Sequence, residues 1–166
     1  EIIKESKSYL SFKIGNELFA VHVAHVRNII EVPRITVVPD TPDYFKGVID
    51  LRGMVLPVID TSITFNRPPI EFTALTCILV LDIYHKGNTV PIGALVDSVS
   101  EVKEIDREEI LSTPSVKGLE TASVFVEGMV RVDEQFIMLL DINKLFDEDS
   151  VECSLKQVDS VAETVE

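Results

Sequence analysis

Alternating apolar and polar residues predict β-strands along most of the chain. Leu10, Phe12 and Ile14 alternate with polar neighbours, and Gly15-Asn16 then marks a turn. The same kind of evidence predicts strands over residues 18–23, 76–84, 89–96, 124–132 and 136–141. Residues 24–32 also fit one face of a helix, but their β-branched content favours an extended segment with a bend. The pattern therefore predicts an all-β protein with short helical turns.

The segment 47–65 is predicted to be a β-hairpin followed by a capped helical turn. Gly53 can adopt the left-handed conformation that a tight hairpin needs, and this placement exposes Arg52 at the tip. Asp60 follows the second strand, where its carboxylate can accept the free N–H groups of a turn ending near Phe65. A guanidinium on a rigid tip suits recognition better than catalysis.

The chain contains an internal repeat. Gly15-Asn16 and the residues after it resemble Gly87-Asn88 and its following residues. Val58-Ile59-Asp60 with Phe65 likewise resembles Leu139-Leu140-Asp141 with Phe146. Each half supplies about five strands, which close most easily into a small barrel. We predict one domain over residues 8–147, with halves 8–66 and 75–147 that could exchange strands, an N-terminal tail (1–7) and a mobile acidic C-terminal tail (148–166).

Charge and composition narrow the functional classes. The 166 residues carry a net charge of −13, which disfavours both nucleic acid and an anionic membrane surface as partners. The negative charge serves solubility or steers a basic partner. No apolar run approaches the ~20 residues that span a bilayer, and no export signal is evident. Two cysteines do not form a disulfide framework, so we expect a cytoplasmic protein without direct membrane contact.

Catalytic and metal-binding motifs are missing from the sequence. There is no phosphate-binding glycine loop and no Gly-x-Ser-x-Gly nucleophile motif. His22 and His25 fall in a segment predicted to be extended, which would place them on opposite faces. Asp60, Asp97 and Asp141 stand at strand ends, where capping is their expected role. We therefore predict a protein that is not an enzyme and binds no cofactor or metal.

Several short motifs together resemble the CheW family. They are Tyr9-Leu10-Ser11-Phe12, Val26-Arg27-Asn28-Ile29, Pro39-Asp40-Thr41-Pro42, Phe45 to Gly53, Pro57-Val58-Ile59-Asp60, Gly93-Ala94-Leu95-Val96-Asp97 and Leu139-Leu140-Asp141. The Gly-Val-x-x-Leu-Arg-Gly block followed by Pro-Val-Ile-Asp is the most specific of them. The resemblance extends over residues 8–146.

This resemblance implies two five-stranded barrels of the SH3/OB-like kind around a shared hydrophobic core. It also implies a non-enzymatic chemotaxis adaptor that links the cytoplasmic tip of chemoreceptors to the regulatory domain of the histidine kinase CheA. The family's receptor groove would correspond to Val26, Asn28, Gly47, Arg52, Gly93 and Val102. Many relatives have glutamate in place of Asn28 and asparagine in place of Asp50. The turn 85–88 also belongs to a hairpin that looks longer than in compact relatives.

The sequence is also compatible with other functions. The chain could be the CheW-like module of a CheV-type protein, which adds a receiver domain. It could instead be a small barrel that binds an oligonucleotide or a small ligand. Within the adaptor reading, Val26 and Val102 could be core residues, and the two glycines could serve only the backbone.

Overall fold

The structure, a computed structural model, describes residues 6–111, 125–146 and 148–164. The ten strands are β1 (Ser6–Ile14), β2 (Glu17–His22), β3 (Val26–Glu31), β4 (Phe45–Leu51), β5 (Met54–Asp60), β6 (Cys77–His85), β7 (Asn88–Val96), β8 (Ser98–Asp106), β9 (Val126–Val132) and β10 (Gln135–Leu140). The helices are α1 (Thr61–Thr64), α2 (Ile142–Leu145) and α3 (Glu148–Thr164), with 3₁₀ turns at Val23–His25 and Arg107–Glu109. The bend expected within 24–32 is the first of these turns, and the rest of that segment is strand.

The strands form two five-stranded sheets that exchange strands between the sequence halves. One sheet has the order β8-β1-β2-β10-β9 and the other β3-β6-β7-β5-β4. Each sheet therefore takes a hairpin from one half and three strands from the other. The two groups join through the parallel pairs β2–β10 and β5–β7. The halves 8–66 and 75–147 thus do not fold as two separate barrels.

Each sheet curls into a half-barrel, which we call barrel A (β8-β1-β2-β10-β9) and barrel B (β3-β6-β7-β5-β4). An isolated bridge extends each sheet past its edge. Thr36 pairs with Val48 of β4 in barrel B, and Leu111 pairs with Met129 of β9 in barrel A. The bridges bring the chain that follows β3 or β8 onto the opposite edge strand, so few strand edges stay open.

Three hydrophobic clusters hold the fold together. The largest lies between the barrels and includes Leu10 and Phe12 of β1 and Leu79 and Leu81 of β6, all at most 4% exposed. A smaller cluster fills each barrel interior. Along β1 and β6, every second residue faces the shared core and the residues between them face a barrel interior. Both faces of these strands are therefore buried. The predicted fold class, an all-β protein with two five-stranded barrels around a shared hydrophobic core, is confirmed, with each barrel a five-stranded sheet curled into a half-barrel.

Two aspartates cap the short helices that follow the matching strands β5 and β10. Asp60 is fully buried, and its carboxylate accepts the N–H groups of Ser62 at 2.9 Å and Ile70 at 3.0 Å. Asp141 accepts the N–H groups of Asn143 and Lys144 at 3.1 and 3.4 Å. The capping roles predicted for both residues are confirmed.

The prediction of a mobile C-terminal tail is wrong, because residues 148–164 form α3. Val151 is 1% exposed within the shared core, and Ser154 is fully buried. The β6–β7 hairpin, with nine residue pairs against six in β1–β2, reaches this helix. There the Glu152 carboxylate contacts Lys86 Nζ at 2.7 Å and His85 Nε2 at 3.1 Å. The carboxylate-rich composition hid an apolar helix face that tertiary packing stabilises.

The first five residues of the predicted N-terminal tail, 1–7, lie outside the described part of the chain. Its last two residues already belong to β1.

Candidate recognition surface

Arg52 lies at the tip of the β4–β5 hairpin, as the sequence predicts. Leu51 pairs with Met54, and the two turn residues Arg52 and Gly53 have φ angles of 51° and 85°. Positive φ at both positions is the type I′ geometry of a two-residue hairpin. The Asp50 carboxylate accepts the Gly53 N–H at 2.9 Å. The side-chain oxygen of an asparagine could accept the same hydrogen bond. The turn therefore does not depend on whether this position holds the aspartate of this chain or the asparagine of many relatives.

The Arg52 side chain is exposed, and within the described residues it has no ion-pair partner. Arg27, by contrast, forms an ion pair with the Asp82 carboxylate at 2.7 Å, which joins β3 to β6. Arg52 therefore offers five N–H donors on a rigid support and gives up no internal contact when it binds a partner.

Three of the six predicted site residues share one row across barrel B. Asn28 pairs with Val80, Val80 with Gly93, Gly93 with Val58, and Val58 with Gly47. Val58 and Val80 belong to the interior cluster of barrel B. Because residues opposite one another in a sheet point to the same face, the row faces the barrel interior.

Packing explains both glycines in this row. A Cβ at Gly47 would lie 2.3 Å from the Thr36 carbonyl oxygen, and a Cβ at Gly93 would lie 2.9 Å from Ile78 Cγ2. Both glycines are buried. Gly47 allows the barrel to close against residue 36, and Gly93 leaves room for the interior side chains. Receptor contact at Gly47, Gly93 and Asn28 stays a prediction.

The two valines of the predicted groove have different environments. Val26 is half-buried against the shared core, whereas Val102 on β8 is 58% exposed. Val102 pairs with Leu10, whose side chain lies in the shared core, so Val102 points toward the same inter-barrel side. It therefore forms an exposed apolar rim beside that core.

Sequence reasoning missed Ile29, which is the counterpart of Val102. Ile29 is 44% exposed, lies on the edge strand β3 and pairs with the core residue Leu79. The repeat that matches residues 23–32 with 96–105 places Ile29 opposite Val102 in the alignment, and this signal could have identified it. Each half-barrel thus has an apolar residue on the inter-barrel side of its edge strand.

A second exposed apolar group lies in the two long loops of barrel B. Val37 is 75% exposed, Leu75 71% and Phe72 52%. Lys46 Nζ lies 5.4 Å from the centre of the Phe72 ring, in the range of a cation–π contact. The Thr73 and Thr76 hydroxyls bond to N–H groups of the 73–76 turn and fix the position of Leu75. These loops were not singled out from the sequence.

The described residues contain few groups arranged for chemistry. Within 6–111, 125–146 and 148–164, no three metal-binding side chains converge. Burial, with help from Lys7 and His25, lowers the pKa of His22, while its Nδ1 accepts the Ala24 N–H at 3.0 Å. No helix in the described part has both the length and the apolar character needed to cross a bilayer.

Comparison with known proteins agrees with this picture. The family model of the CheW-like domain matches residues 8–150. The probable chemotaxis protein CheW of Rhizobium etli is 32% identical over 148 residues, covering 89% of this chain and 92% of the relative. CheW of Klebsiella aerogenes is 32% identical over 158 residues, covering 95% and 90%. The crystal structure of the scaffolding protein TtCheW from Thermoanaerobacter tengcongensis superposes with a TM-score of 0.74 at 29% identity, covering 90% and 92%.

Proposed function

The chain belongs to the CheW family, and on this premise we propose that it couples chemoreceptors to the histidine kinase CheA. It is a CheW-like scaffold of bacterial chemotaxis and not an enzyme. Its work is therefore done through protein contacts. The exposed Arg52, held on a type I′ turn without an internal partner, is the observation that carries the proposal.

The receptor contact is proposed to involve Arg52 and the exposed apolar residues Ile29 and Val102. A chemoreceptor tip is a helical coiled coil, and an amphipathic helix fits a groove that offers apolar anchors and a polar rim. The apolar residues supply contact area that is already exposed, and Arg52 supplies bidentate pairing with a carboxylate. Asn28, half-buried in the interior row, adds no charge to this surface.

The kinase contact is proposed for the two long loops of barrel B, in which Val37, Phe72 and Leu75 are exposed. Each of these large apolar side chains is more than half exposed, and apolar and aromatic residues form the centre of protein interfaces. The Thr36–Val48 bridge holds the chain next to Val37, and the hydrogen bonds of the 73–76 turn hold the chain at Leu75. A regulatory domain of the same fold would meet them barrel on barrel.

Arg52→Ala provides the test, with Arg131→Ala as the matched control. Arg131 is also exposed but lies on β9 of barrel A, in the other sheet from the β4–β5 hairpin. In a pull-down with a receptor-tip fragment and the CheA regulatory domain, Arg52→Ala should weaken receptor capture by about tenfold or more, as expected for a charge-assisted pair at an interface. Both variants should melt within about 1 °C of the parent, because a surface substitution changes stability little.

Two results would contradict the proposal. The first is equal receptor capture by the two arginine variants, which would remove Arg52 from the contact. The second is the absence of a complex between the parent protein and either partner at tens of micromolar.

A further inference from the structure

The tip of the β4–β5 hairpin carries two opposite charges, and the proposed receptor contact uses only one of them. Asp50 is the last residue but one of β4, and Arg52 is the first residue of the turn. Both side chains are exposed, and within residues 6–111, 125–146 and 148–164 neither forms an ion pair. Residues two apart along a chain have Cα atoms about 5–7 Å from each other. A carboxylate and a guanidinium are therefore available close together at this tip.

The turn uses only part of the hydrogen-bonding capacity of Asp50. Its Oδ1 accepts the Gly53 N–H at 2.9 Å, and its Oδ2 accepts no hydrogen bond from any residue that the structure describes. The uncharged oxygen of an amide side chain could accept the Gly53 N–H as well. The hairpin therefore does not require the negative charge of Asp50.

The equivalent hairpin of barrel A, β9–β10, forms the same turn without a side-chain acceptor at this position. Its two turn residues, Asp133 and Glu134, have φ angles of 47° and 65°, which is again the type I′ geometry. Arg131 precedes that turn by two residues, as Asp50 precedes Arg52, and a guanidinium has only donors. The fold therefore does not account for a carboxylate at position 50.

We propose that Asp50 determines which receptors the hairpin tip accepts, an inference that rests on the adaptor function proposed above. Its carboxylate pairs with a lysine or arginine of the receptor helix, one turn away from the carboxylate that pairs with Arg52. Residues three or four apart on a helix lie about 5–6 Å from each other, which matches the spacing of the two charges at the tip. The preferred partner is thus a helix with an acidic and a basic side chain one turn apart.

The same carboxylate discriminates against other partners. A helix with acidic side chains alone gains the pairing with Arg52, but it brings a second carboxylate close to Asp50, and like charges in contact oppose binding. Charge complementarity of this kind contributes to specificity more than to affinity. Asp50 therefore acts as a specificity-determining residue beside Arg52.

The test measures binding of a receptor-tip fragment to the full chain, to Asp50→Asn and to the control Asp133→Asn. Asp50→Asn keeps an acceptor for the Gly53 N–H and loses only the charge, and Asp133→Asn makes the same change in net charge at the tip of barrel A. Asp50→Asn should weaken receptor binding about fivefold, the upper range for an exposed ion pair, and Asp133→Asn should leave it unchanged. Melting curves should show that both variants are folded.

Substitution of the basic residues of the receptor fragment identifies the partner of Asp50. Each lysine and arginine is replaced by glutamine in turn, and every fragment is titrated against the parent and against Asp50→Asn. One substitution should weaken binding to the parent about fivefold but leave binding to Asp50→Asn unchanged, because that variant has already lost the pair. Combining Asp50→Lys with a change to glutamate at that receptor position should restore binding.

Two outcomes overturn this inference while the adaptor function stands. The first is equal receptor binding by Asp50→Asn and the parent, and the second is that no basic residue of the receptor depends on Asp50 for its effect. If the parent binds no receptor, or if Arg52→Ala binds it as well as the parent does, the proposed function fails and this inference fails with it. The two failures are therefore distinguishable.

Discussion

Replacing Gly47 with alanine tests whether this glycine serves the barrel or the receptor. The new Cβ would lie 2.3 Å from the Thr36 carbonyl oxygen and 2.7 Å from Ile35 Cγ2. The first of these neighbours is backbone, which cannot rotate away. The Thr36–Val48 bridge must therefore open, or β4 must move.

The expected cost follows from what the bridge contains. It has two hydrogen bonds, Thr36 N–H to the Val48 carbonyl at 2.8 Å and Val48 N–H to the Thr36 carbonyl at 2.9 Å. Losing them costs about 1 kcal/mol each. A side chain at the Gly47 φ of 151° adds about 1–3 kcal/mol of backbone strain. We expect the free energy of unfolding to fall by about 3–5 kcal/mol, a large share of the ~5–15 kcal/mol of a typical domain.

Urea and thermal unfolding of Gly47→Ala and Gly87→Ala measure this difference. Gly87 also has a positive φ, 79°, but no atom lies within 4 Å of its would-be Cβ, so it reports backbone strain alone. The Tm of Gly47→Ala should fall about 10 °C for a protein of this size, against a few degrees for the control. Equal losses in the two variants would refute the packing argument. A stable Gly47→Ala that fails to capture the receptor would instead make Gly47 part of the contact surface.

Two further predictions concern the caps and the C-terminal helix. Asp60→Asn should destabilise the protein by about 1–2 kcal/mol more than Asp141→Asn. The reason is that Asp60 is fully buried, so the new side-chain NH₂ group would face the backbone N–H donors that the carboxylate now accepts. Equal unfolding midpoints for the two variants would contradict this. Hydrogen bonds from Lys86 and His85 lower the pKa of the Glu152 carboxyl from its ordinary value of 4.5. The stabilisation that these two hydrogen bonds give α3 is therefore present above pH 4.5 and is lost as the pH falls through the lowered pKa. Hydrogen exchange in α3 should accelerate over that pH range in the parent protein but not in Glu152→Gln.

Local signals were sufficient for several elements. The β4–β5 turn could be predicted because only a residue pair that tolerates positive φ can close a two-residue hairpin, and Arg52-Gly53 provides one. The caps at Asp60 and Asp141 could be predicted because a carboxylate at the end of a strand meets free N–H groups within three residues. The partners in each of these interactions lie within a few residues of each other, so the order of residues determines which groups meet.

The repeat showed that two similar barrels exist but not which strands form each one. A hairpin from either half has the same apolar faces, so local pattern cannot choose its partner sheet. Only the parallel pairs β2–β10 and β5–β7 decide the exchange, and they join residues far apart in the chain.

The sequence by itself determined the strands, the turn that presents Arg52 and the capped helices, because neighbouring residues make those interactions. Tertiary structure alone decided the rest. Gly47 and Gly93 are needed where the backbone of residue 36 or the side chain of Ile78 comes close, and α3 is helical because Val151 finds a core to pack against. Such contacts depend on distance in space, which the order of residues does not contain.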